Sequence, residues 1–133
     1  PVIAVSTLQA LAQAAYRSAG LTQVTAVLDA RMNEVYIANF VLDDHGIMQA
    51  QDAEQMLSYA AALHVQKFQL IGSGAALVQA DAIDFKHLHA TAQDIASIAR
   101  EHAMRQDWVS AEQALPVYLR DNAWKKISEQ GKP

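Results

Sequence analysis

The sequence contains no cysteine, which excludes disulfide bonds, thiolate nucleophiles and cysteine-ligated zinc sites, and which suits a reducing cytoplasm. Charged residues make up only 18% of the chain, against roughly 25% in a typical soluble domain, while 52% of the residues are hydrophobic. The net charge of -4 provides no global positive field, so any nucleic-acid role must be local or indirect. The apolar stretch FQLIGSGAALV is interrupted by glycines and is shorter than the roughly 18 residues of a membrane helix. We therefore expect a folded chain without a membrane segment.

The chain is 133 residues long, which is the size of one domain that can bury its own core. It opens with Pro-Val-Ile-Ala-Val, without Met, so we expect it to be a piece of a longer polypeptide. Residues 2–5 predict a buried strand. A helix is expected next, because Ser6 and Gln9 have the spacing of a capping box and Gly20 is placed to end the helix.

Two segments rich in β-branched and aromatic residues follow, TQVTAVL and VYIANFVL, and each predicts a strand. The sequence DDHG after Leu42 is typical of a turn and predicts a reversal into a third strand near residues 47–50. This part of the chain therefore predicts an antiparallel meander.

The next region changes to helical spacing. A helix is expected over residues 53–64, with Asp52 and Gln55 as its caps. The segment FQLIG then predicts a buried strand, and a short helical piece is expected to follow, to about Ala80. Residues 82–90 fit either a strand or a loop.

The last predicted helix runs from Thr91, which has capping-box spacing to Asp94, to about Gln106. Its expected buried face consists of Ile95, Ile98, Ala99 and His102, and an i,i+4 pair joins Glu101 to Arg105. An extended segment is expected at residues 117–119. Strands and helices alternate after the antiparallel start, so we predict an α/β fold with a mixed sheet and flanking helices.

Signals for metal, phosphate and nucleophile chemistry are weak in this sequence. None of the five histidines has the HExxH spacing, and the HLH segment fits solvated or hydrogen-bonded histidines better than a metal site. Gly72 and Gly74 follow a predicted strand as a phosphate loop would, but a strand-to-helix turn with one positive φ explains them as well. Ser73 lies outside any GxSxG motif. We predict no catalytic residue, no metal and no cofactor, with Gly72 and Gly74 as weak candidates for cofactor contact.

The segment DARMNEVY, residues 29–36, places charged and polar residues between two predicted strands. Asn readily adopts a left-handed turn conformation, so Met32 and Asn33 are expected at the tip of a tight hairpin. A turn stabilised by Asp29, Arg31 and Glu34 explains these residues better than a catalytic acid and base, because a nearby Arg keeps carboxylates ionised. The structural or interaction candidates in this segment are Asp29, Arg31, Asn33, Glu34 and Tyr36.

The segment PVYLRDNAWKK, residues 116–126, combines aromatic side chains with cations. Such a pattern is typical of segments that stack on bases and neutralise phosphates, or that anchor a partner protein. The alternative is a terminal segment that packs its aromatic residues on the core and exposes its lysines. The candidates are Tyr118, Arg120, Trp124, Lys125 and Lys126.

Four motifs together resemble the bacterial TsaB family, also called YeaZ: VSTLQALAQ, DARMNEVY, IGSG and PVYLRDNAWKK. The match is to the C-terminal portion of that family. Two departures occur, since Asn33 stands where the family commonly has Gly and RDNAWKK is one residue shorter than the usual ending.

The resemblance implies an actin-like ATPase fold (ASKHA), built from two ribonuclease-H-like lobes. It implies that residues 1–133 form a single domain, the C-terminal lobe, and that the N-terminal lobe is absent from this chain. The IGSG motif lies where nucleotide-binding relatives hold adenosine, so a residual nucleotide contact is one implication.

The resemblance also implies a function. TsaB proteins are similar to TsaD but act as its non-catalytic scaffold or activator when threonylcarbamoyladenosine is made on tRNA beside the anticodon. TsaD carries metal and catalysis, TsaE is an ATPase, and TsaC supplies threonylcarbamoyl-adenylate. The resemblance then implies that the protein contacts tRNA only indirectly and is located in the cytoplasm. It is also compatible with a homodimer. Because the main TsaD surface of the family lies on the absent lobe, we expect this chain to fold but to bind TsaD poorly.

Two alternatives compete with this function. A glycoprotease-like peptidase is the first, because TsaD-type proteins were once labelled glycoproteases. A stand-alone RNA-binding module is the second, and it depends only on the cationic segment at residues 116–126.

Overall fold

The structure, a computed structural model, describes residues 5–105. Helices cover both faces of a five-stranded sheet. The elements in chain order are α1 (Thr7–Ala19), β1 (Gln23–Arg31), β2 (Glu34–Leu42), β3 (Met48–Ala50), β4 (Gln55–Ser58), α2 (Tyr59–Val65), β5 (Gln69–Ile71), α3 (Ala75–Val78) and α4 (Ala92–Met104).

The sheet is mixed, as predicted. Its strand order is β3-β2-β1-β5, and β4 pairs with β2 beside β3. β1, β2 and β3 form the expected antiparallel meander, whereas β5 lies parallel to β1. The α/β class and the mixed sheet with flanking helices are therefore confirmed.

The two sheet faces have separate cores because side chains alternate along each strand. Val24 and Ala26 of β1 pack with α1, while Val27, the residue after Ala26, packs with α2 and α3 on the other face. On α1 the residues facing the sheet are Leu8, Leu11, Ala12 and Ala15, which recur at helical spacing. The helix thus follows the amphipathic pattern that its sequence predicts.

The ends of α1 are defined by Ser6 and Gly20. The Ser6 hydroxyl accepts a hydrogen bond from the Gln9 N–H at 3.2 Å, and Gly20 takes φ 69° with its N–H donated to the Tyr16 carbonyl. The Gln9 side chain donates to the Met48 carbonyl at 2.9 Å, so it joins α1 to β3. Of the predicted capping box, the bond to the Ser6 hydroxyl is therefore present, whereas the Gln9 side chain bonds to β3.

The predicted helix over residues 53–64 is wrong in its first half. Gln55–Ser58 forms β4, which pairs with the part of β2 that β3 leaves uncovered, and the helix begins only at Tyr59. Ser58 is the N-cap, since its hydroxyl accepts the Ala61 N–H at 3.2 Å. Backbone pairing with a neighbouring strand outweighs a helical pattern that is short and weakly periodic.

Asp52 does not cap a helix because it binds Asn39, which lies fully buried in the middle of β2. The Asn39 backbone N–H and side-chain amide donate to the Asp52 carboxylate at 3.1 and 2.8 Å, and the amide also donates to the Val65 carbonyl at 2.9 Å. The Asn39 side-chain oxygen accepts from the Thr25 hydroxyl and the Lys67 N–H. This polar cluster fastens the connection between α2 and β5 to the centre of the sheet.

α4 lies next to α1, and an ion pair between a solvent-accessible arginine and a buried aspartate joins them. Arg17 Nε and Nη2 donate to the two Asp94 oxygens at 2.7 and 3.1 Å, and Asp94 is 1% exposed. Asp94 also accepts from the N–H and hydroxyl of Thr91, which completes the predicted capping box. Burial opposes ionisation of Asp94, but the hydrogen bonds from Arg17 and Thr91 prevail and lower its pKa.

The predicted buried face of α4 is wrong for Ile95, which is 46% exposed, and correct for Ile98, which is fully buried. The Arg17–Asp94 pair turns the helix so that Asp94 and Ile98 face inward together. Glu101 and Arg105 form the expected i,i+4 ion pair at 3.1 Å. Residues 82–90 contain neither helix nor strand, so they are a loop.

Gly72 and Gly74 lie against the backbone of β1. A Cβ on Gly72 would lie 2.3 Å from the Val27 carbonyl oxygen and 2.7 Å from Leu11 Cδ2. A Cβ on Gly74 would lie 2.7 Å from Val27 Cγ1 and 2.9 Å from the Leu28 carbonyl carbon. Glycine at these two positions therefore permits a close approach of backbone to backbone.

In the part of the chain that the structure describes, no helix has the length and apolar character needed to cross a membrane.

The substitution Gly74→Ala tests this packing. Gly74 has φ -91°, which alanine tolerates, so the added methyl acts mainly through its clash with β1. We expect the free energy of unfolding to fall by about 1–3 kcal/mol, measured by urea denaturation. The neighbouring Ser73→Ala serves as the control and should stay within about 0.5 kcal/mol of the parent. Unchanged or increased stability of Gly74→Ala would contradict the close approach.

The substitution Asp94→Asn tests the ion pair between Arg17 and the buried Asp94. Because the folded protein lowers the pKa of Asp94, its carboxylate stabilises the fold fully above the unfolded value of roughly 3.9 and less as the pH falls. The variant should have a lower free energy of unfolding than the parent at pH 7, and this gap between the two should narrow as the pH falls below about 4. Denaturation curves at several pH values measure this gap. Asp81→Asn, at an exposed position, is the control, and a gap that widens in acid would refute the assignment.

Candidate functional site

The hairpin joining β1 and β2 is the first part of the candidate site. Arg31, Met32 and Asn33 all have positive φ, at 65°, 53° and 62°, and the strand register shifts between Asp29 and Arg31. Met32 and Asn33 form the turn between the strands, as predicted, and Asn33 has the expected left-handed backbone. The sequence indicates this conformation only for Asn33, because Arg and Met carry no such preference.

Asp29 stabilises the hairpin locally. Its carboxylate accepts the Arg31 N–H at 2.8 Å, which is the local bond that the sequence predicted. The Asp29 N–H donates to the Ser73 hydroxyl across a longer distance of 3.4 Å, so the base of the hairpin contacts the glycine loop. Glu34 pairs with Arg31 in the strand register, and Tyr36 lies further along β2, half-buried against the core that includes α1.

The tip of the hairpin extends into solvent. Met32 is 78% exposed, and Arg31 and Asn33 are also exposed. Two residues other than Gly or Asn, namely Arg31 and Met32, hold a left-handed backbone there, at a cost of roughly 1–3 kcal/mol each. Such strain concentrates at functional positions, so the tip is a candidate contact surface.

The glycine loop, residues 72–74, is the second part of the site. The Gly72 N–H donates to the Phe85 carbonyl at 3.1 Å, and the Gly74 N–H donates to the Val27 carbonyl at 3.0 Å. A phosphate cradle needs amide groups that point toward the ligand, and these two point into the protein. Gly72 has φ 100°, as a strand-to-helix turn requires. The geometry therefore favours the turn as the reason for Gly72 and Gly74, rather than contact with a cofactor.

A cavity of about 310 Å³ lies beside the glycine loop, where β1 ends and α1 begins. Leucine side chains form much of its wall, from Leu11, Leu28 and Leu88. Ser73 and Lys86 add a hydroxyl and an ammonium group. The cavity is thus an apolar depression with a few polar groups, in contrast to an amide-lined phosphate site.

Two further sequence predictions concern metal ligands and the aromatic and cationic candidates of the last segment. Within residues 5–105, His, Asp and Glu side chains nowhere gather in threes as metal ligands would, and the prediction of no metal for the whole chain stays a prediction. The aromatic and cationic candidates of the last segment lie outside the described residues: Tyr118, Arg120, Trp124, Lys125 and Lys126. The predicted strand at residues 2–5 and the predicted extended segment at 117–119 also lie outside them, except for Val5, which is in neither helix nor strand.

No protein-family model matches the chain. Two curated relatives are tRNA threonylcarbamoyladenosine biosynthesis proteins TsaB. The one from Escherichia coli K12 is 36% identical over 144 residues, covering 96% of this chain and 61% of the relative. The one from Haemophilus influenzae Rd is 32% identical over 146 residues, covering 96% of this chain and 60% of the relative.

Two solved structures from Pseudomonas aeruginosa have a similar fold. One is of a protein described as similar to peptidase YeaZ, with a TM-score of 0.78 and 37% identity over 90% of this chain and 59% of that one. The other is of YeaZ, with a TM-score of 0.75 and 36% identity over 89% and 60% of the two chains. The chain therefore spans about six tenths of the length of these relatives. Together these matches confirm the resemblance that the motifs predicted and identify the chain as a homologue of the TsaB proteins, also called YeaZ.

Proposed function

We propose that this chain is the C-terminal portion of a TsaB-type protein that acts in making threonylcarbamoyladenosine on tRNA. Its role there is that of a non-catalytic scaffold or activator of TsaD, in a pathway that also uses TsaE and TsaC. The main support for the proposal is the 36% sequence identity to the Escherichia coli TsaB across 96% of the chain. Contact with tRNA is indirect in this proposal.

The sheet supports the finer proposal of a ribonuclease-H-like lobe from an actin-like ATPase fold. Three antiparallel strands in sequence order are followed by a parallel strand, β5, that returns to the side of β1 after α2. This combination of a meander and a parallel crossover strand is what the family resemblance implies for such a lobe.

The glycine loop supports a role without nucleotide chemistry in this lobe. The amides of Gly72 and Gly74 are hydrogen-bonded to Phe85 and Val27, and their Cα atoms lie against β1. A relative that binds phosphate at this loop would need those amides for the ligand. Here the loop contacts the base of the hairpin through a long hydrogen bond, 3.4 Å, from the Asp29 N–H to the Ser73 hydroxyl.

The hairpin supports a role in contacting a partner protein. Its tip presents an exposed methionine, Met32, between Arg31 and Asn33. Methionine is flexible and polarizable and adapts well to a partner surface. We propose that this tip forms part of the surface facing a protein subunit of the tRNA-modifying complex, in addition to the surface that the family has on its N-terminal lobe.

A peptidase is the second candidate, because one Pseudomonas aeruginosa relative is described as similar to a peptidase. Ser73, between Gly72 and Gly74, is the serine that we consider for such an activity. Within residues 5–105 its hydroxyl accepts one long hydrogen bond, from the Asp29 N–H. A serine nucleophile needs a general base as its partner, and that bond does not provide one.

The proposal is tested by a chimera in which the N-terminal portion of Escherichia coli TsaB is joined to this chain. It is expressed in Escherichia coli depleted of its own TsaB, and threonylcarbamoyladenosine in tRNA is measured by mass spectrometry. The chimera should restore the modified nucleoside, whereas the chain alone should not, because it lacks the main TsaD surface. Met32→Asp in the chimera should lower the restored level, since it places a charge at the proposed contact.

Ser73→Ala in the chimera separates the two candidates. Under the scaffold proposal this variant restores the modified nucleoside as well as the parent chimera does. Loss of the nucleoside with Ser73→Ala, together with peptide hydrolysis by the unchanged chimera, would favour the peptidase. A chimera that is folded by circular dichroism and leaves the nucleoside at the depleted level would refute the proposed function.

A further inference from the structure

A second cavity lies far from the hairpin and the glycine loop. It is about 260 Å³ in volume and is enclosed by the last turns of α1, by α4 and by the turn that follows β2. The hairpin precedes β2 and this turn follows it, so the nine residues of the strand separate them by roughly 30 Å. We call this cavity the α1–α4 cleft; its polar lining includes Tyr16, Arg17, His45, Gln93 and Arg100.

The acidic groups of the cleft, one buried and one half-buried, already have cationic partners. Asp94 is 1% exposed and accepts hydrogen bonds from Arg17 and Thr91. The Glu101 side chain is 15% exposed and lies 3.1 Å from Arg105 Nη2 and 3.8 Å from His45 Nδ1. Neither carboxylate therefore presents much negative charge to a molecule entering the cleft.

The cationic groups are the ones that reach solvent. The Arg17 side chain is 33% exposed, and Arg100 is exposed. A guanidinium has five N–H donors, and Asp94 occupies only the edge formed by Arg17 Nε and Nη2. The ion pair holds the Arg17 group in a fixed orientation, and its outer edge keeps donors for a second acceptor. Asp94 thus orients the Arg17 guanidinium and leaves its outer edge available to a second acceptor.

The chemistry of the cleft selects an oxyanion. A fixed guanidinium fork matches the oxygen spacing of a phosphate or a carboxylate and binds either through two parallel hydrogen bonds. The Tyr16 hydroxyl and the Gln93 amide are further hydrogen-bonding groups in the same lining. Pockets for drug-sized ligands occupy roughly 300–1,000 Å³, so a cleft just below that range fits a small molecule.

We propose that the α1–α4 cleft binds a small molecule through its phosphate or carboxylate group, with Arg17 and Arg100 as the anion-binding residues. This inference does not depend on the function proposed above, because the cleft lies at the opposite end of β2 from the hairpin and the glycine loop. A phosphate monoester and a small di- or tricarboxylate share the chemistry that the cleft recognises, and the experiment separates them.

The test is an NMR titration of the ¹⁵N-labelled chain with inorganic phosphate and, separately, with succinate. Sodium chloride at matched ionic strength is the reference. We expect saturable shifts of the amide signals of Gly46, Gln93 and Ser97, which line the cleft, with one of the two anions binding more tightly. Tighter phosphate binding assigns the site to phosphate esters, and tighter succinate binding assigns it to carboxylates.

Arg100→Gln should weaken binding of the preferred anion about tenfold, the effect of removing one charge-assisted hydrogen bond. Arg31→Gln removes an exposed arginine at the distant hairpin and should leave the affinity unchanged. Arg17→Lys should also weaken binding, and urea denaturation shows whether this variant remains folded. The proposal is overturned if neither anion gives saturable shifts at the cleft, or if Arg31→Gln weakens binding as much as Arg100→Gln does.

Discussion

The contact between the glycine loop and β1 is the constraint on which this fold depends. With no side chain on Gly72, the start of the loop lies against the Val27 carbonyl, between β1 and Leu11 of α1. Because Gly74 also has no side chain, the start of α3 lies against the same strand, on the sheet face where Val27 packs. One short loop therefore sets the distances between β5, β1 and helices on both faces of the sheet. Because the Gly72 and Gly74 amides are used in this contact, the loop serves packing, and its Ser73 hydroxyl contacts the base of the hairpin.

Buried polar groups supply the specificity that the apolar cores lack. Asn39 and Asp52 fasten the connection after α2 to the sheet, and Arg17 and Asp94 fix the position of α4 beside α1. Among residues 5–105, every buried side-chain nitrogen and oxygen has a hydrogen-bond partner, as low-polarity surroundings require. The same Arg17–Asp94 pair that joins two helices also orients a cation at the edge of the α1–α4 cleft, so stability and the proposed anion site share one interaction.

The sequence predicted those parts of the structure that carry strong local signals. The meander, the hairpin tip at Met32 and Asn33, and the capping box of Thr91 and Asp94 all follow from residues close together in the chain. The family was also predictable, because its motifs are distinctive over short stretches. These features depend on neighbours within a few positions, which a single sequence displays directly.

The features that were missed depend on distant partners. Gln55–Ser58 becomes a strand because β2 offers it an edge, and Ile95 faces solvent because Arg17, 78 positions earlier, binds the adjacent Asp94. Asn39 indicates the polar cluster in the sequence, because an amide inside an apolar strand must have hydrogen-bond partners. Its partners, Asp52 and Val65, could not be identified from the spacing of residues along the chain. The left-handed backbone of Arg31 and Met32 likewise has no sequence signal.

The central claim is that the amides of the glycine loop belong to the fold and are closed to phosphate. Hydrogen exchange at the Gly72 and Gly74 amides, followed by NMR with and without ATP and Mg²⁺, tests it most directly. The structure predicts slow exchange at both amides that nucleotide does not change. Fast exchange in the absence of nucleotide, with protection appearing only when ATP is added, would contradict the claim.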